Sequence, residues 1–284
     1  RVDRRQRQMC IRDRMYRGFN INYLRESFGI GYETRGLQVQ EPIKKKLKES
    51  FVRQMIKEDN SLEASLIMDT WFPVEAYDIF LSHSHKDRKL ALSIAGKLWQ
   101  DHGLKVFVDS AIWLNLEDLL KIIDNKYCRS SDNKFYNYKS RNHSTAHVNL
   151  MLINSLNKII DNSEAIFFLN TPNSISASDT IQQRTFSPWI FSEIETTKLI
   201  KKKTPPRIER ETRLFSTTKD EYVPLNESTN AMRISYEAEL GHLTTLSERE
   251  FINWVSDKYL SSEDALNKLY KKLSLIHISE PTRP

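Results

Sequence analysis

Three short segments constrain the fold of this chain more than any other feature. They are YDIFLS at 77–82, LKVFVD at 104–109 and AIFFLN at 165–170. Each is too short for a helix, and each contains consecutive apolar residues instead of an alternating pattern, which is typical of strands buried on both faces. Segments with helical periodicity separate them. The pattern therefore predicts an α/β fold with a parallel sheet and helices on both faces.

The helical segments carry apolar residues every three or four positions. They lie at 41–59, 61–73, 88–103, 116–127, 149–164, 187–203, 247–260 and 262–273, and a weaker strand is predicted at 209–216. Gly103 is a suitable C-cap for one helix, and Ser187 followed by Pro188 is typical of a helix start. Residues 15–38 predict no regular element.

The domain plan follows from these elements. Residues 15–74 are expected to form a helical N-terminal extension, and residues 75–272 the sheet domain. Two polar stretches in that domain, 129–147 and 171–186, predict insertions at the edge where the strands end. The end segments 1–14 and 273–284 resemble translated sequencing-adaptor sequence, and we expect neither to contribute to the fold.

The net charge comes mainly from those two end segments. The chain carries 43 Lys and Arg against 37 Asp and Glu, a formal net charge of +6. Without the seven basic and three acidic residues of the ends, 36 basic and 34 acidic residues remain, a net charge of +2. The basic balance is poor evidence for a nucleic-acid partner, and we expect none.

Cysteine content and hydropathy indicate the compartment. Outside the end segments Cys128 is the only cysteine. A single cysteine cannot form an internal disulfide, which is typical of a reducing compartment. No apolar run approaches the ~18 residues that a membrane span requires. We therefore expect a cytoplasmic protein without a membrane partner.

Common cofactor motifs are absent from the sequence. The chain has seven glycines, and they form neither GxGxxG nor a Walker A loop, which need glycine where the backbone approaches phosphate. His83 and His85 follow the first strand and are candidate metal ligands, but no third ligand with suitable spacing is evident. A histidine in a polar loop at a strand end is the better interpretation. We expect no metal and no cofactor.

The order of several motifs resembles that of Toll/interleukin-1 receptor (TIR) domains over about residues 75–270. The matching residues are Asp78 to His83, Asp109, Trp113, Ser187, Trp189 and Glu193 in a Ser-x-Trp-x-x-x-Glu pattern, and Phe251 with Trp254. The resemblance implies a flavodoxin-like sheet and the bacterial NAD⁺-consuming type of the family. One departure is Leu-Asn-Leu-Glu between Trp113 and Asp118, where the family has Pro-Gly.

Catalytically active TIR domains cleave NAD⁺ at the nicotinamide–ribose bond. The resemblance thus implies an NAD⁺ nucleosidase or ADP-ribosyl cyclase-like enzyme of antiviral defence, with Glu193 as the catalytic residue and NAD⁺ as substrate. The implied substrate-binding residues are Ser82, His83, Ser84, Lys86, Asp109, Trp113 and Trp189. Self-association between TIR domains and a downstream effector protein are the implied partners.

The spacing of Trp189 and Glu193 suits this chemistry. Residues four apart share one helical face, so the ring can stack on a base while the carboxylate stabilises an oxocarbenium-like ribosyl cation. Without the resemblance, the pair is better interpreted as a core tryptophan and a solvated acid in the first helical turn.

In a parallel sheet the ligand crevice lies at the carboxyl ends of the strands. The loops after Leu81, Asp109 and Asn170 are therefore expected at one edge. There the loop 82–87 would form the floor of a nucleotide crevice, opposite the loop 109–118. Lys86 or backbone amides are expected near the phosphates.

Two other functions stay open. The main alternative is a non-catalytic TIR interaction module that assembles partners through its loops. A weaker one is a nucleotide-signal receptor or nucleoside-processing enzyme on the same fold. Release of nicotinamide from NAD⁺ would distinguish the enzyme from the interaction module.

Overall fold

The structure is a computed structural model. It describes residues 17–23, 28, 31–44, 61–71, 77–130, 134–175, 183–200, 235–259 and 261–276, and the side chains of 17, 41–44, 71, 111–115 and 272–276 are excepted. The predicted N-terminal end segment, the predicted strand at 209–216 and most of the predicted helix at 41–59 lie outside these ranges.

The described residues alternate between strands and helices. The strands are β1 (Arg17–Asn22), β2 (Ile79–Ser82), β3 (Val106–Val108), β4 (Ala165–Asn170), β5 (Arg184–Thr185), β6 (Tyr236–Glu237) and β7 (Thr244–Leu246). The helices are α1 (Tyr32–Lys44), α2 (Ala64–Trp71), α3 (Arg88–His102), α4 (Ser110–Tyr127), α5 (Tyr138–Asn162), α6 (Pro188–Leu199), α7 (Glu248–Ser256) and α8 (Ser262–Ile276), with a 3₁₀ turn at His85–Asp87.

Five strands form one parallel sheet in the order β3-β2-β4-β1-β7. This confirms the predicted α/β, flavodoxin-like class, with a parallel sheet flanked by helices. Because the strands are all parallel, their carboxyl ends lie along one edge, called the carboxyl edge below. In the register, Asn22 pairs with Asn170, so β1 and β4 end level, whereas Ser82 pairs with Phe168, so β2 ends two residues before β4.

The two faces of the sheet explain the consecutive apolar residues of the strands. Ile79 and Leu81 of β2 pack into a cluster with α3, α7 and α8. Phe80 points to the opposite face and packs into a second cluster with α4 and α5. Since side chains alternate along a strand, a strand covered on both faces needs apolar residues at every position.

The predicted helical extension at 15–74 is wrong in its first part. Residues 17–22 form β1, which lies inside the sheet between β4 and β7. Phe19 and Ile21 are fully buried, but Gly18, Asn20 and Asn22 alternate with them and conceal the strand in the sequence. The N-terminal segment therefore belongs to the sheet domain.

Helix α1 packs on α3 at two glycines. A Cβ added to Gly36 would lie 2.0 Å from the Leu92 carbonyl oxygen, and one added to Gly96 would lie 2.0 Å from that of Tyr32. Only glycine allows the two backbones to approach this closely. The buried side chain of Gln40 adds a hydrogen bond of 2.8 Å from Nε2 to the Val106 carbonyl oxygen of β3.

Several predicted boundaries need correction. The predicted loop 109–118 is almost entirely helix, because α4 starts at Ser110; no Pro or Gly occurs in 110–118 to interrupt it. The predicted insertion 129–147 is helical from Tyr138 onwards. The predicted insertion 171–186 ends in β5, which pairs antiparallel with β6. Helix α8 extends to Ile276, into the C-terminal segment that was predicted to lie outside the fold.

Most of the remaining elements are confirmed. Helices α2, α3, α6, α7 and α8 lie within or close to their predicted ranges, and Gly103 caps α3 in the left-handed conformation at φ 67°. In the part of the chain that the structure describes, no helix has the length and apolar character needed to cross a membrane.

Candidate functional site

The carboxyl edge brings together the ends of three strands. Ser82 is the last residue of β2, Asp109 directly follows β3, and Thr171 directly follows β4. All three side chains are buried. The prediction that the segments after Leu81, Asp109 and Asn170 lie at one edge is therefore confirmed.

Helix α6 carries Glu193 to this edge. The helix begins as predicted, because Ser187 accepts a hydrogen bond from the Ile190 amide and Pro188 occupies the first turn. Its buried residues are Ile190, Glu193, Ile194 and Thr197, one stripe of a helix. Glu193 thus occupies a position at which a helix packed on a sheet normally places an apolar residue.

Glu193 is held in place by the end of β2. Its side chain is 3% exposed, and its Oε2 accepts a hydrogen bond of 2.5 Å from the Ser82 hydroxyl. Its Oε1 is buried and has no hydrogen-bond partner within the described part of the chain. The interpretation of Glu193 as a solvated first-turn acid is therefore wrong.

The environment of Glu193 favours its neutral form. Burial raises the pKa of this carboxyl well above the usual range, and the charge of Asp109 raises it further. The hydrogen bond from Ser82 opposes this rise in pKa. A second carboxyl group nearby makes it costly for both to ionise, so this environment favours the protonated form of Glu193.

His83 contacts Asp109 and is buried. Its Nδ1 lies 2.6 Å from Oδ1 of Asp109, and its Nε2 lies 3.1 Å from the Ser110 hydroxyl. Burial by itself lowers the pKa of His83, but Asp109, the Leu81 carbonyl oxygen and the charge of Asp87 together outweigh burial, and the pKa is raised. His83 therefore holds the Asp109 side chain in position.

A small cavity opens beside this group. Its volume is about 130 Å³, and its lining consists of His83, His85, Asp109, Ser110, Ser187, Trp189 and Ile190. Asp109 lines the cavity, whereas Glu193 does not. Ligand pockets usually measure about 300–1,000 Å³, so this cavity accommodates part of a nucleotide only.

The other predicted binding residues are spread around the site. Trp189 lines the cavity and is half-buried against the α4–α5 cluster. Ser84 is half-buried at the start of the 3₁₀ turn, where its side chain makes no capping hydrogen bond. Lys86 is exposed and does not line the cavity. Trp113 lies in α4, and its side chain is outside the described set.

The sequence did not predict that Asp87 is a buried member of this edge. Asp87, in the 3₁₀ turn after β2, accepts hydrogen bonds of 2.5 Å from the Thr171 hydroxyl and 2.6 Å from Nδ2 of Asn173. These contacts join the segments after β2 and β4. No local pattern predicts them, because the partners are 84 and 86 positions apart in the sequence.

Metal ligands do not converge at this edge. Among the residues that the structure describes, no group of three or more His, Cys, Asp or Glu is placed to hold a metal ion. His83 faces Asp109, whereas His85 is exposed. The arrangement instead offers a protonated carboxyl, a charge-paired carboxylate and an aromatic ring around one cavity.

Comparisons of this chain with models of protein families, with curated proteins and with solved structures found no match.

Proposed function

We propose that this protein cleaves the nicotinamide–ribose bond of NAD⁺, with Glu193 as the catalytic carboxyl. The observation that carries the proposal is the buried Glu193 at the carboxyl edge, hydrogen-bonded to Ser82 and with a pKa that burial and the charge of Asp109 raise. Burying an ionisable group without a counter-ion is costly, and groups with strongly perturbed pKa values are concentrated at functional sites.

The charges at the site suit a cationic aromatic ligand. The nicotinamide ring of NAD⁺ carries a positive charge, and Trp189 presents an aromatic surface at the cavity on which such a ring can stack. Asp109 is already paired with His83. Glu193 is therefore the group whose ionisation can respond to the ligand, since a nearby cation lowers the pKa of a carboxyl.

The chemical step follows from that response: the bound cationic ring lowers the pKa of Glu193, and the carboxyl releases its proton to solvent before the bond breaks. The bond between ribose C1′ and the ring nitrogen breaks, and its electron pair moves to the ring, which leaves as neutral nicotinamide. The remaining ribosyl cation is stabilised by the ionised Glu193. A hydroxyl group or water then forms a bond to C1′ and releases its proton to the carboxylate. The Ser82 hydroxyl keeps the carboxylate in position through these steps.

The resemblance to TIR domains of the NAD⁺-consuming type supports the same assignment from the sequence. It adds antiviral defence as the setting and self-association as the condition under which the site acts. The cavity of about 130 Å³ then enlarges on substrate binding or assembly, because the nicotinamide ring and ribose together need more space.

The volume of the cavity also favours a second candidate function. A site that stays this small serves the non-catalytic interaction module better than an enzyme. In that case Glu193 and Asp109 share a proton as a purely structural pair, and the protein acts through its surface.

Nicotinamide release separates the two functions. The purified full chain is incubated with NAD⁺ over a range of protein concentrations, because self-association is part of the proposal, and nicotinamide is measured by chromatography. Release that rises with protein concentration supports the enzyme. If no concentration gives release and calorimetry detects no NAD⁺ binding, the enzyme is contradicted and the interaction module is favoured.

A further inference from the structure

We propose that His143 and His147 form a binding site for a divalent transition-metal ion such as Zn²⁺ on the surface of α5. The two residues are one helical turn apart, and both are exposed. Their Nε2 atoms lie 3.3 Å apart. This site is separate from the carboxyl-edge site and does not depend on the proposed NAD⁺ cleavage.

The distance between the nitrogens matches metal chelation. Zinc binds imidazole nitrogen at about 2.0–2.1 Å in tetrahedral geometry, which places two ligand nitrogens about 3.3 Å from one another. The ring centroids lie 4.4 Å apart, further than the Nε2 atoms at 3.3 Å, so the rings converge at their Nε2 ends. The metal-binding nitrogens therefore approach each other before any metal arrives.

The helical turn that carries the pair is fixed by buried contacts. Ser144, between the two histidines, is buried and donates a hydrogen bond of 2.5 Å to Oδ1 of Asp124 in α4. Arg141 adds a contact of 3.0 Å from Nε to Oδ2 of the same carboxylate. Val148 packs in the core directly after the pair. A metal ion thus binds without ordering the backbone, which lowers the cost of binding.

The pair lies on a large groove between α2, α4 and α5. The groove has a volume of about 1160 Å³, and both histidines contribute to its lining. Two imidazoles fill two positions of a tetrahedral shell, which leaves two for water or for a donor atom of a molecule in the groove. An open coordination shell of this kind is typical of metal sites that bind a further ligand.

Calorimetric titration of Zn²⁺ into the full chain tests the site. The wild type is expected to bind one Zn²⁺ ion. His143→Ala and His147→Ala should each lower the affinity for this ion at least about tenfold, because loss of even an outer-shell partner costs a metal site 10- to 100-fold in affinity. Asn142→Ala, which changes an exposed residue of the same groove, should bind as the wild type does. Alanine at these exposed helical positions keeps the helix intact.

Hydrogen exchange gives a second readout that does not depend on affinity. Zn²⁺ should slow exchange of the amides around 143–148 in the wild type and leave them unchanged in the His143→Ala/His147→Ala double variant. That variant retains every other histidine of the chain. Equal Zn²⁺ affinity in the wild type and the double variant, or protection that appears only elsewhere, would overturn the proposal.

Discussion

The Ser82 hydroxyl donates a hydrogen bond of 2.5 Å to Oε2 of Glu193 and so connects the end of β2 to the second turn of α6. The two residues are 111 positions apart in the sequence. Because this carboxyl is buried and has a raised pKa, its ionisation state is set by the fold rather than by solvent. Stability and activity should therefore both respond to this one group.

Glu193→Gln should make stability less dependent on pH. Glutamine resembles the protonated carboxyl, since it is neutral, has nearly the same size and can accept the hydrogen bond from Ser82. The raised pKa of Glu193 means that the folded state holds the proton more tightly than the unfolded state. Its contribution to stability is complete below about pH 4, the ordinary range of a glutamate, and is lost as pH rises through the folded pKa.

Thermal midpoints between about pH 5 and pH 8 measure this effect. The wild type should lose stability relative to Glu193→Gln as the pH rises. His83 also has a raised pKa, but it contributes equally to both proteins. Glu195→Gln is the control, because Glu195 is only half-buried, unlike Glu193, and is paired with Lys198 at 2.7 Å. A difference between wild type and Glu193→Gln that does not change with pH would contradict the assigned shift.

Gly96→Ala should destabilise the protein despite the higher helix propensity of alanine. The new methyl group would lie 2.0 Å from the Tyr32 carbonyl oxygen and 2.7 Å from the Gly36 amide nitrogen, so α1 must move away from α3. Overpacking typically costs about 1–3 kcal/mol, and a contact this close to backbone atoms belongs at the upper end of that range, above the roughly 1 kcal/mol that the helix gains.

Denaturant midpoints check the Gly96 prediction. Gly241→Ala is the matched control, because nothing lies within 4 Å of its added Cβ and its φ is not in the left-handed region. The control should change stability little. Equal stability of Gly96→Ala and the wild type would show that the two helices do not cross at these glycines.

Lys86→Ala should weaken NAD⁺ binding and leave the fold unaffected. Lys86 is exposed in the 3₁₀ turn that precedes α3, so its removal loses little packing. A hydrogen bond to a charged group contributes about 1.5–3 kcal/mol, so loss of a phosphate contact should raise KM roughly tenfold or more at similar kcat. Unchanged KM would remove Lys86 from the proposed binding site.

The strands with consecutive apolar residues could be predicted from the sequence, and those without them could not. β2, β3 and β4 are buried on both faces, and their consecutive apolar residues identify them as strands in the sequence. β1 alternates Phe19 and Ile21 with glycine and asparagine, and β7 is only Thr-Thr-Leu. Their places in the sheet depend on pairing with distant strands, which no local pattern contains.

The candidate site could likewise be predicted only in part from the sequence. The sequence located Ser82, His83 and Asp109 at strand ends, and parallel topology brought them to one edge. The burial of Glu193 could not be predicted, because an acid in the buried stripe of α6 resembles a solvated one until the sheet beneath is known. The contacts of Asp87 with Thr171 and Asn173 depend on the same long-range topology.

Nicotinamide release by the wild type, Glu193→Gln and Glu195→Gln, measured side by side at one protein concentration, tests the central claim most directly. Glutamine keeps the size of Glu193 and its hydrogen bond with Ser82 but removes the negative charge that, in the proposed reaction, stabilises the ribosyl cation. Loss of one such group typically lowers kcat by about 10²–10³. We expect that loss in Glu193→Gln and near-wild-type release in Glu195→Gln. Equal release by the wild type and Glu193→Gln, or a larger loss in Glu195→Gln, would contradict the account.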